Sequence, residues 1–145
     1  MKLTFLPLER TEHWDDLNSD LRHKLREDMT GFVGVDETGS ILCAAIFDNW
    51  TSTSVQVHQV IRNPFVIRHG FFAEVSKYVY VTCDRAIMYG LVRASNKKAL
   101  KLDLNIGFTE VARLKDAVMF GEDMVILELR KEDCKFLPQE FREAV

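Results

Sequence analysis

The sequence has little of what marks secreted, membrane-spanning or disulfide-stapled proteins. It contains three cysteines, three prolines and seven glycines in 145 residues. Cys43, Cys83 and Cys134 lie far apart, without the spacing of a metal site or a disulfide framework, so we expect free thiols in a reducing compartment such as the cytoplasm. No apolar run approaches the roughly 18–20 residues that a membrane-spanning helix needs.

An excess of positive charge is also absent, since the net charge is -3. A general nucleic-acid surface is therefore not expected, and basic residues interleaved with aromatic ones are missing as well. Residues 62–115 nevertheless hold ten Lys or Arg against four Asp or Glu. This middle stretch could receive an anionic ligand, although a mixed surface would give the same pattern.

The remaining composition, 47% hydrophobic and 28% charged, is that of an ordinary globular domain. The first residues are partly apolar, but Pro7 and Glu9 interrupt them, which makes a poor signal peptide and a good first strand. No repeat, linker or low-complexity segment appears. We therefore expect one domain over residues 1–145, with a core at about 3–130 and a short extension at 131–145.

Periodicity in the first half predicts a helix among several strands. The helix should run from His13 to about Asp28, capped by Thr11, although Ser19 offers a second cap and two short helices are the alternative. A turn is expected at residues 36–39. Alternating and β-branched residues predict four strands, at 3–8, 32–35, 41–47 and 54–62.

The second half predicts a crossover. A connection at residues 63–70 leads into a helix at 71–82, and an almost wholly apolar strand follows at 85–92. Strand, helix and strand of this length favour a parallel pair with a right-handed crossover. Further elements are predicted as a helix at 96–105, strands at 108–114 and 124–130 joined by a polar loop, and a terminal turn or helix within 132–145.

The helix at 96–105 has complete start and stop signals. Asn96 is a good N-cap, and Gly107 supplies the left-handed residue that ends the helix. Ala99, Leu102 and Ile106 form one apolar stripe. The stretch resembles the closing motif of the GNAT superfamily of N-acetyltransferases, Asn-x-x-Ala-x-x-Leu-Tyr-x-x-x-Gly-Phe. Every spacing is kept, through Asn96, Ala99, Leu102, Asp103, Gly107 and Phe108.

This resemblance covers about residues 3–130 and implies the fold. The fold class would be α/β of the α+β type, a single GNAT-like domain whose central mixed sheet of about six to seven strands is flanked by helices. The amino-acid sequence of residues 68–72 and 129–134 most resembles that of small acetyltransferase-like proteins of tailed phages, some of them virion-associated. That narrower resemblance implies that the protein is located in the host cytoplasm or in the virion.

The resemblance implies acetyl-coenzyme A as co-substrate, no metal, and an unknown amine acceptor on a protein or small molecule. A pyrophosphate would sit at the start of the helix at 71–82, where backbone amides and a glycine can approach it, and Arg68 could meet it by its side chain. The pantetheine arm would pair with the fourth strand. Cofactor contacts are therefore expected from Val60, Ile61, Arg62, Arg68, His69, Gly70, Phe71, Phe72, Ala73, Ser95 and Asn96.

Acetyl transfer needs a base for the amine and a proton donor for the departing thiolate. The family's donor is the tyrosine of the closing motif, which is Asp103 here. Asp103 could donate if burial raised its pKa, and otherwise is a solvated carboxylate; Tyr89, Tyr78 or Tyr80 could replace it. His58 on the fourth strand is the candidate base, with a purely structural role as its alternative.

Two other functions remain open. The chain could be a GNAT-fold protein that has lost catalysis and acts as a binding or virion-associated module; a nucleic-acid binder is the least favoured. The late hairpin could pair across a homodimer. Four residues are candidates for lining the acceptor side, namely Trp14, His23, Trp50 and Phe120.

Overall fold

The computed structural model describes residues 2–21 and 26–142, and within them seven strands form one mixed sheet. The strand order is β1-β2-β3-β4-β5-β7-β6. β4 and β5 run parallel, whereas the neighbours in the pairs β1–β2, β2–β3, β5–β7 and β6–β7 are antiparallel. The strands are β1 Thr4–Pro7, β2 Thr30–Val35, β3 Ile41–Asp48, β4 Ser54–Ile61, β5 Ile87–Arg93, β6 Thr109–Met119 and β7 Glu122–Arg130.

The helices are α1 Arg10–Leu17, α2 Phe71–Ser76, α3 Lys97–Ile106 and α4 Gln139–Arg142. Two short 3₁₀ helices cover Pro64–Arg68 and Lys131–Asp133, and a π-helix over Lys77–Thr82 continues α2. The predicted α/β fold with a parallel crossover pair is thereby confirmed. In the described part of the chain, no helix is long and apolar enough to cross a membrane.

The chain folds as two compact units. The first combines the residues up to Asn49 with Val57–Val75, and the second combines Trp50–Gln56 with the residues from Ser76 onward. In the first unit, Leu17 of α1 packs into a cluster of buried side chains from β2, β3 and β4, with Trp14 partly buried against it. In the second unit, the buried side chains of β5 and β7 include Met88, Leu127 and Leu129.

The prediction for the first helix was wrong at both ends. α1 begins at Arg10, with Glu9 rather than Thr11 at the N-cap, because the buried imidazole of His13 accepts from the Glu9 amide at 2.8 Å. α1 ends at Leu17, and the Ser19 hydroxyl donates to the Asp16 carbonyl at 3.1 Å. Residues 26–28 are not helical either. The alternative of a second short helix after Ser19 falls largely on residues 22–25, which lie outside the described residues, with His23 among them.

The late hairpin is longer than predicted. β6 continues to Met119 and leaves only Phe120 and Gly121 as the turn, so the expected polar loop is almost absent. Asp116 takes a positive φ of 58°, and its side chain accepts from the Gly121 amide at 2.8 Å. This side-chain bond lets a polar stretch stay in the strand pair where composition favoured a loop.

Candidate functional site

The predicted base, His58, is part of a partly buried polar network. Its Nε2 lies 2.8 Å from Oδ1 of Asp48, the last residue of β3. Asp48 is only 3% exposed, and its Oδ2 accepts from Nη2 of Arg26 at 2.7 Å. A carboxylate paired with a guanidinium accepts hydrogen bonds, so Asp48 accepts from Nε2 of His58.

Arg62 directly follows β4 and is engaged by two carboxylates. Its Nε and Nη2 meet both oxygens of Asp20 at 3.0 and 2.8 Å, and its Nη1 lies 2.8 Å from Asp16. These bonds, chiefly the one to Asp20, raise the pKa of Arg62, and they hold the pKa of Asp20 below its ordinary value. The Arg62 amide donates to the Leu42 carbonyl at 2.9 Å. Arg62 therefore ties the end of β4 to the end of α1, and a contact with cofactor remains a prediction.

The connection after β4 is an ordered turn built by side chains. Asn63 accepts from the Phe65 amide at 3.0 Å and so starts the 3₁₀ helix Pro64–Arg68. The His69 ring stacks on the Phe65 ring with centroids 3.7 Å apart. Nδ1 of His69 lies 2.7 Å from the Phe65 carbonyl. His69 is thus held in place although it is exposed to solvent.

The start of α2 has the features of an anion site. Gly70 has a φ of +98°, which L side chains rarely adopt, so the backbone requires glycine there. The first intrahelical bond runs from the Glu74 amide to the Gly70 carbonyl at 2.9 Å. The amides of residues 71–73 therefore belong to the first turn, where the helix dipole favours negative charge. With Arg68 and His69 exposed beside it, this end of α2 fits a phosphate group.

The predicted cofactor residues around this point differ in exposure. Phe71 and Phe72 are buried at 0% and 3%, with their rings 5.1 Å apart in an edge arrangement, whereas Ala73 is exposed. Val60 is also buried, in the core cluster of the first unit, and Ile61 is half-buried. For the buried phenylalanines, only the backbone is suited to meet a ligand.

Asp103, the residue at the family's tyrosine position, is half-buried on α3. Among the described residues its carboxyl group makes no hydrogen bond or ion pair, and burial raises its pKa to about 7. The neighbouring lysines Lys97, Lys98 and Lys101 are exposed and do not offset this effect. Near neutral pH a substantial share of Asp103 is therefore protonated and able to donate.

The three tyrosines have different surroundings. The Tyr80 hydroxyl donates to the Leu129 carbonyl inside the core, and burial raises the pKa of Tyr80 well above its ordinary value. The Tyr78 ring packs edge-on against Trp50, with centroids 6.4 Å apart. Tyr89 is half-buried on β5. Tyr80 is thereby explained as a core residue, while Tyr89 and Tyr78 stay open as donors.

Ser95 and Asn96 both have structural partners. The Ser95 amide donates to Oε1 of Glu122 at 3.1 Å, and its hydroxyl donates to the same oxygen. These bonds lower the pKa of Glu122. Asn96 accepts from the Ala99 amide at 3.2 Å and caps α3 as predicted. Their contacts with a cofactor remain a prediction.

The structure adds residues that the sequence did not single out. Asp48 and Arg26 join His58, and Asn63 shapes the turn before α2. A carboxylate directly after the apolar run 41–47 was the available signal for Asp48, but its partner depends on how β3 and β4 align. Of the residues proposed to line the acceptor side, Phe120 is 96% exposed at the hairpin turn, and His23 lies outside the described residues. No metal-like group of three His, Cys, Asp or Glu side chains occurs in residues 2–21 and 26–142.

Comparison with solved structures finds chains of the same fold. Spermidine/spermine N-acetyltransferase SpeG from Vibrio cholerae, in complex with manganese ions, superposes with a TM-score of 0.74 at 14% identity, over 88% of this chain and 92% of that chain. A mutant form of the same enzyme gives a TM-score of 0.77 at 15% identity, over 95% and 98%. Its dodecameric form in an intermediate state gives 0.72 at 15%, over 88% and 93%.

A scan against models of known protein families finds no match, and a search of curated protein sequences finds none either. At 14–15% identity the structural likeness concerns the fold. It agrees with the resemblance carried by residues 96–108, which share the spacing of the closing GNAT motif. The chain thus has the fold seen in these spermidine N-acetyltransferase structures.

Proposed function

We propose that the protein is an acetyl-coenzyme A-dependent N-acetyltransferase that transfers an acetyl group to an amine of a protein or small molecule. The observation that carries the proposal is the exposed, glycine-initiated start of α2, with Arg68 and His69 beside it. On this fold that end of the helix suits the pyrophosphate, whose negative charge matches the helix dipole. Amides of residues 71–73 would bind its oxygens, and Arg68 would add a charge-assisted bond.

In this proposal the residues of the chain move two protons, while acetyl-coenzyme A supplies the reactive thioester. His58 takes the proton of the acceptor amine, directly or through a water molecule. Asp103 in its protonated form donates to the leaving sulfur, a role that its raised pKa of about 7 permits near neutral pH. Tyr89 is the alternative donor. Ser95, Asn96, Val60 and Ile61 would contact the cofactor mainly by backbone, because their side chains are engaged or at least partly buried.

The acceptor is proposed from the comparisons. The structures of similar fold are spermidine N-acetyltransferases, so spermidine is the first amine to assay. Lysine-containing peptides form the second class. A homodimer is also proposed, since a solved structure of this fold is a dodecamer.

The first prediction concerns cofactor binding and is tested by thermal shift. Saturating acetyl-coenzyme A should raise the melting temperature of the wild-type protein by mass action. Arg68→Ala should weaken binding about 10-fold, because it removes one charge-assisted phosphate contact. The matched control is Arg113→Ala, which removes an exposed arginine paired with Glu110 on β6 and should bind like wild type.

Turnover is then tested by measuring the release of the coenzyme A thiol in the presence of spermidine or a lysine-containing peptide. Absence of any thermal shift at millimolar cofactor, together with absence of turnover, would refute the enzyme. It would favour the second function, a GNAT-fold binding or virion-associated module that has lost catalysis. The observation favouring that alternative is Arg62, whose guanidinium is already occupied by Asp16 and Asp20.

A further inference from the structure

The two faces of the strands β5, β7 and β6 in the second unit differ in burial. On one face, Met88 of β5 and Leu127 and Leu129 of β7 are at most 2% exposed. Successive side chains of a strand point to opposite faces, so their neighbours along the chain form the other face. There Leu91 is 41% exposed and Leu114 is 46% exposed, which makes this face accessible to a ligand. We call the open face the set Tyr89, Leu91, Ala112, Ile126 and Glu128.

Strand register brings an aromatic ring and a carboxylate together on the open face. Tyr89 of β5 is the partner of Glu128 of β7, and Glu128 is also the partner of Thr109 on β6. Side chains of directly opposite residues share one face of the sheet, with their Cβ atoms about 4.5–5.5 Å apart. The next row on this face contains only apolar side chains, those of Leu91, Ile126 and Ala112. Tyr89 and Glu128 therefore border an accessible apolar row.

The carboxylate of Glu128 is available to an incoming cation. Its printed partner in the protein is Arg130, whose Nε lies 3.3 Å from Oε1 of Glu128. The two side chains are 26% and 47% exposed, and ion pairs exposed to this degree contribute little, so a ligand cation can displace the guanidinium. The other arginine on this side of β5, Arg93, lies four residues beyond Tyr89. That is about 13 Å along the strand, longer than the screening length of about 8 Å at physiological salt.

These features together suit an ammonium group carried on a methylene chain. A carboxylate binds an ammonium by a charge-assisted hydrogen bond, and the face of an aromatic ring attracts a cation. The apolar row would remove the methylene groups from water. We propose that the open face binds an aliphatic amine, with Glu128 as the specificity-determining residue and Tyr89 beside it. The inference names the acceptor class of the acetyltransferase proposed above, and its catalytic meaning rests on that function.

Binding is tested first without acetyl-coenzyme A, by NMR titration of the protein with n-butylamine. The matched uncharged probe is 1-butanol, which should bind at least about 10-fold more weakly because it lacks the charge. Glu128→Gln should weaken n-butylamine binding about 10-fold, since the amide has the same shape but no charge. Arg130→Gln should instead tighten it about threefold, because it removes the cation that competes for Glu128. A role of this ion pair in stability alone would not give effects of opposite sign.

The chain offers a matched control for both charges. Glu110 and Arg113 form an exposed ion pair on β6 at 2.9 Å, and Glu110 is the partner of Leu127, which belongs to the buried face. Glu110→Gln and Arg113→Gln should therefore keep the wild-type affinity for n-butylamine. For the ring, Tyr89→Leu should weaken binding about threefold, whereas Tyr89→Phe retains the aromatic face and should bind like wild type.

Steady-state kinetics then identifies the source of the amine. Glu128→Gln should raise the KM for the acceptor about 10-fold and leave kcat within about twofold, because it removes binding that is equal in the ground and transition states. A rise confined to spermidine identifies a free amine as the ligand, and a rise confined to a lysine-containing peptide identifies a protein side chain. An unchanged KM for both acceptors, n-butylamine binding that is insensitive to Glu128→Gln, or weaker binding in Arg130→Gln would overturn the inference.

The two proposals fail in different ways. A wild-type protein that acetylates amines, but whose KM and amine affinity ignore Glu128→Gln, retains the proposed function and loses the recognition site. A wild-type protein without cofactor binding or turnover loses the function. If its affinity for n-butylamine still depends on Glu128 as stated, the open face stands as an ammonium-binding site of a protein without catalysis.

Discussion

At the scale of single residues, burial decides what a side chain can do. Asp103 stands where the GNAT motif has tyrosine, and the three lysines around it in sequence suggested a charged, solvated carboxylate. The structure places it half-buried and without a cationic partner in the described part of the chain, so its pKa is raised to about 7. The sequence shows that Asp103 can donate a proton only if burial raises its pKa. It does not show whether Asp103 is buried, because the burial of one helix position depends on tertiary packing.

The raised pKa of Asp103 predicts a pH-dependent stability. The folded protein holds a proton that the unfolded chain, with the ordinary value of 3.8, releases. Stability should therefore fall as pH rises from about 4 to about 7, by at most about 1.4 kcal/mol per pH unit from this group. Urea unfolding at several pH values in this window measures the slope.

Asp103→Asn should remove that part of the slope, because the amide does not titrate. Asp15→Asn, which changes an exposed carboxylate on α1, is the control and should keep the wild-type slope. Equal slopes for wild type and Asp103→Asn would show that Asp103 is ionised throughout the range and cannot be the donor.

At the scale of elements, local chemistry predicted α3 with its caps, and predicted the bounds of the helix before it but not its change of helix type. Asn96 and Gly107 cap α3 as expected, since both signals lie within the helix's own sequence. The helix predicted over residues 71–82 is present, but it changes from α to π after Ser76. An α-helical period over residues 71–82 places Tyr78 on the same face as the buried Phe71 and Val75, whereas Tyr80 is the buried tyrosine at 1% exposure.

The π-helix is secured by contacts that sequence cannot supply. The Tyr80 hydroxyl donates to the Leu129 carbonyl of β7, and Cys134 Sγ lies 3.2 Å from the Ser76 hydroxyl at the end of α2. Both partners are more than 45 residues away in the chain. The widened helical turn is thus held by tertiary contacts that local sequence does not specify.

Tyr80→Phe tests this contact. Removing the hydroxyl leaves the Leu129 carbonyl without that donor in the core, which should lower the free energy of unfolding by about 1–3 kcal/mol. Chemical denaturation measures the loss. Tyr89→Phe is the control, because in the described residues its hydroxyl has no hydrogen-bond partner, and it should change stability by less than about 0.5 kcal/mol. A Tyr80→Phe protein as stable as wild type would mean that the buried bond contributes nothing net.

At the scale of the whole molecule, element order predicted the fold but not the alignment of strands. β4 and β5 are joined by a crossover helix, and strands connected in this way pair in parallel. The order of elements along the chain is therefore enough to predict this pairing. The bond between Asp48 and His58 depends on which residues of β3 and β4 meet, and the extent of β6 depends on Asp116 and Asp123 bonding across the hairpin. The alignment of neighbouring strands is set by tertiary packing, and the local sequence pattern of each strand does not predict it.

The last prediction concerns self-association through the late hairpin of the second unit. β6 is an edge strand of eleven residues, and long exposed edges template pairing with another chain. Along the hairpin Val111, Leu114, Met119 and Phe120 are 51%, 46%, 56% and 96% exposed. We expect sedimentation velocity to show a concentration-dependent dimer. Phe120→Ser should weaken it at least tenfold, whereas Phe141→Ser, at an exposed phenylalanine on α4, should not. A wild-type chain that stays monomeric at 100 μM, a concentration of the order at which weak edge contacts form, would contradict pairing through this edge.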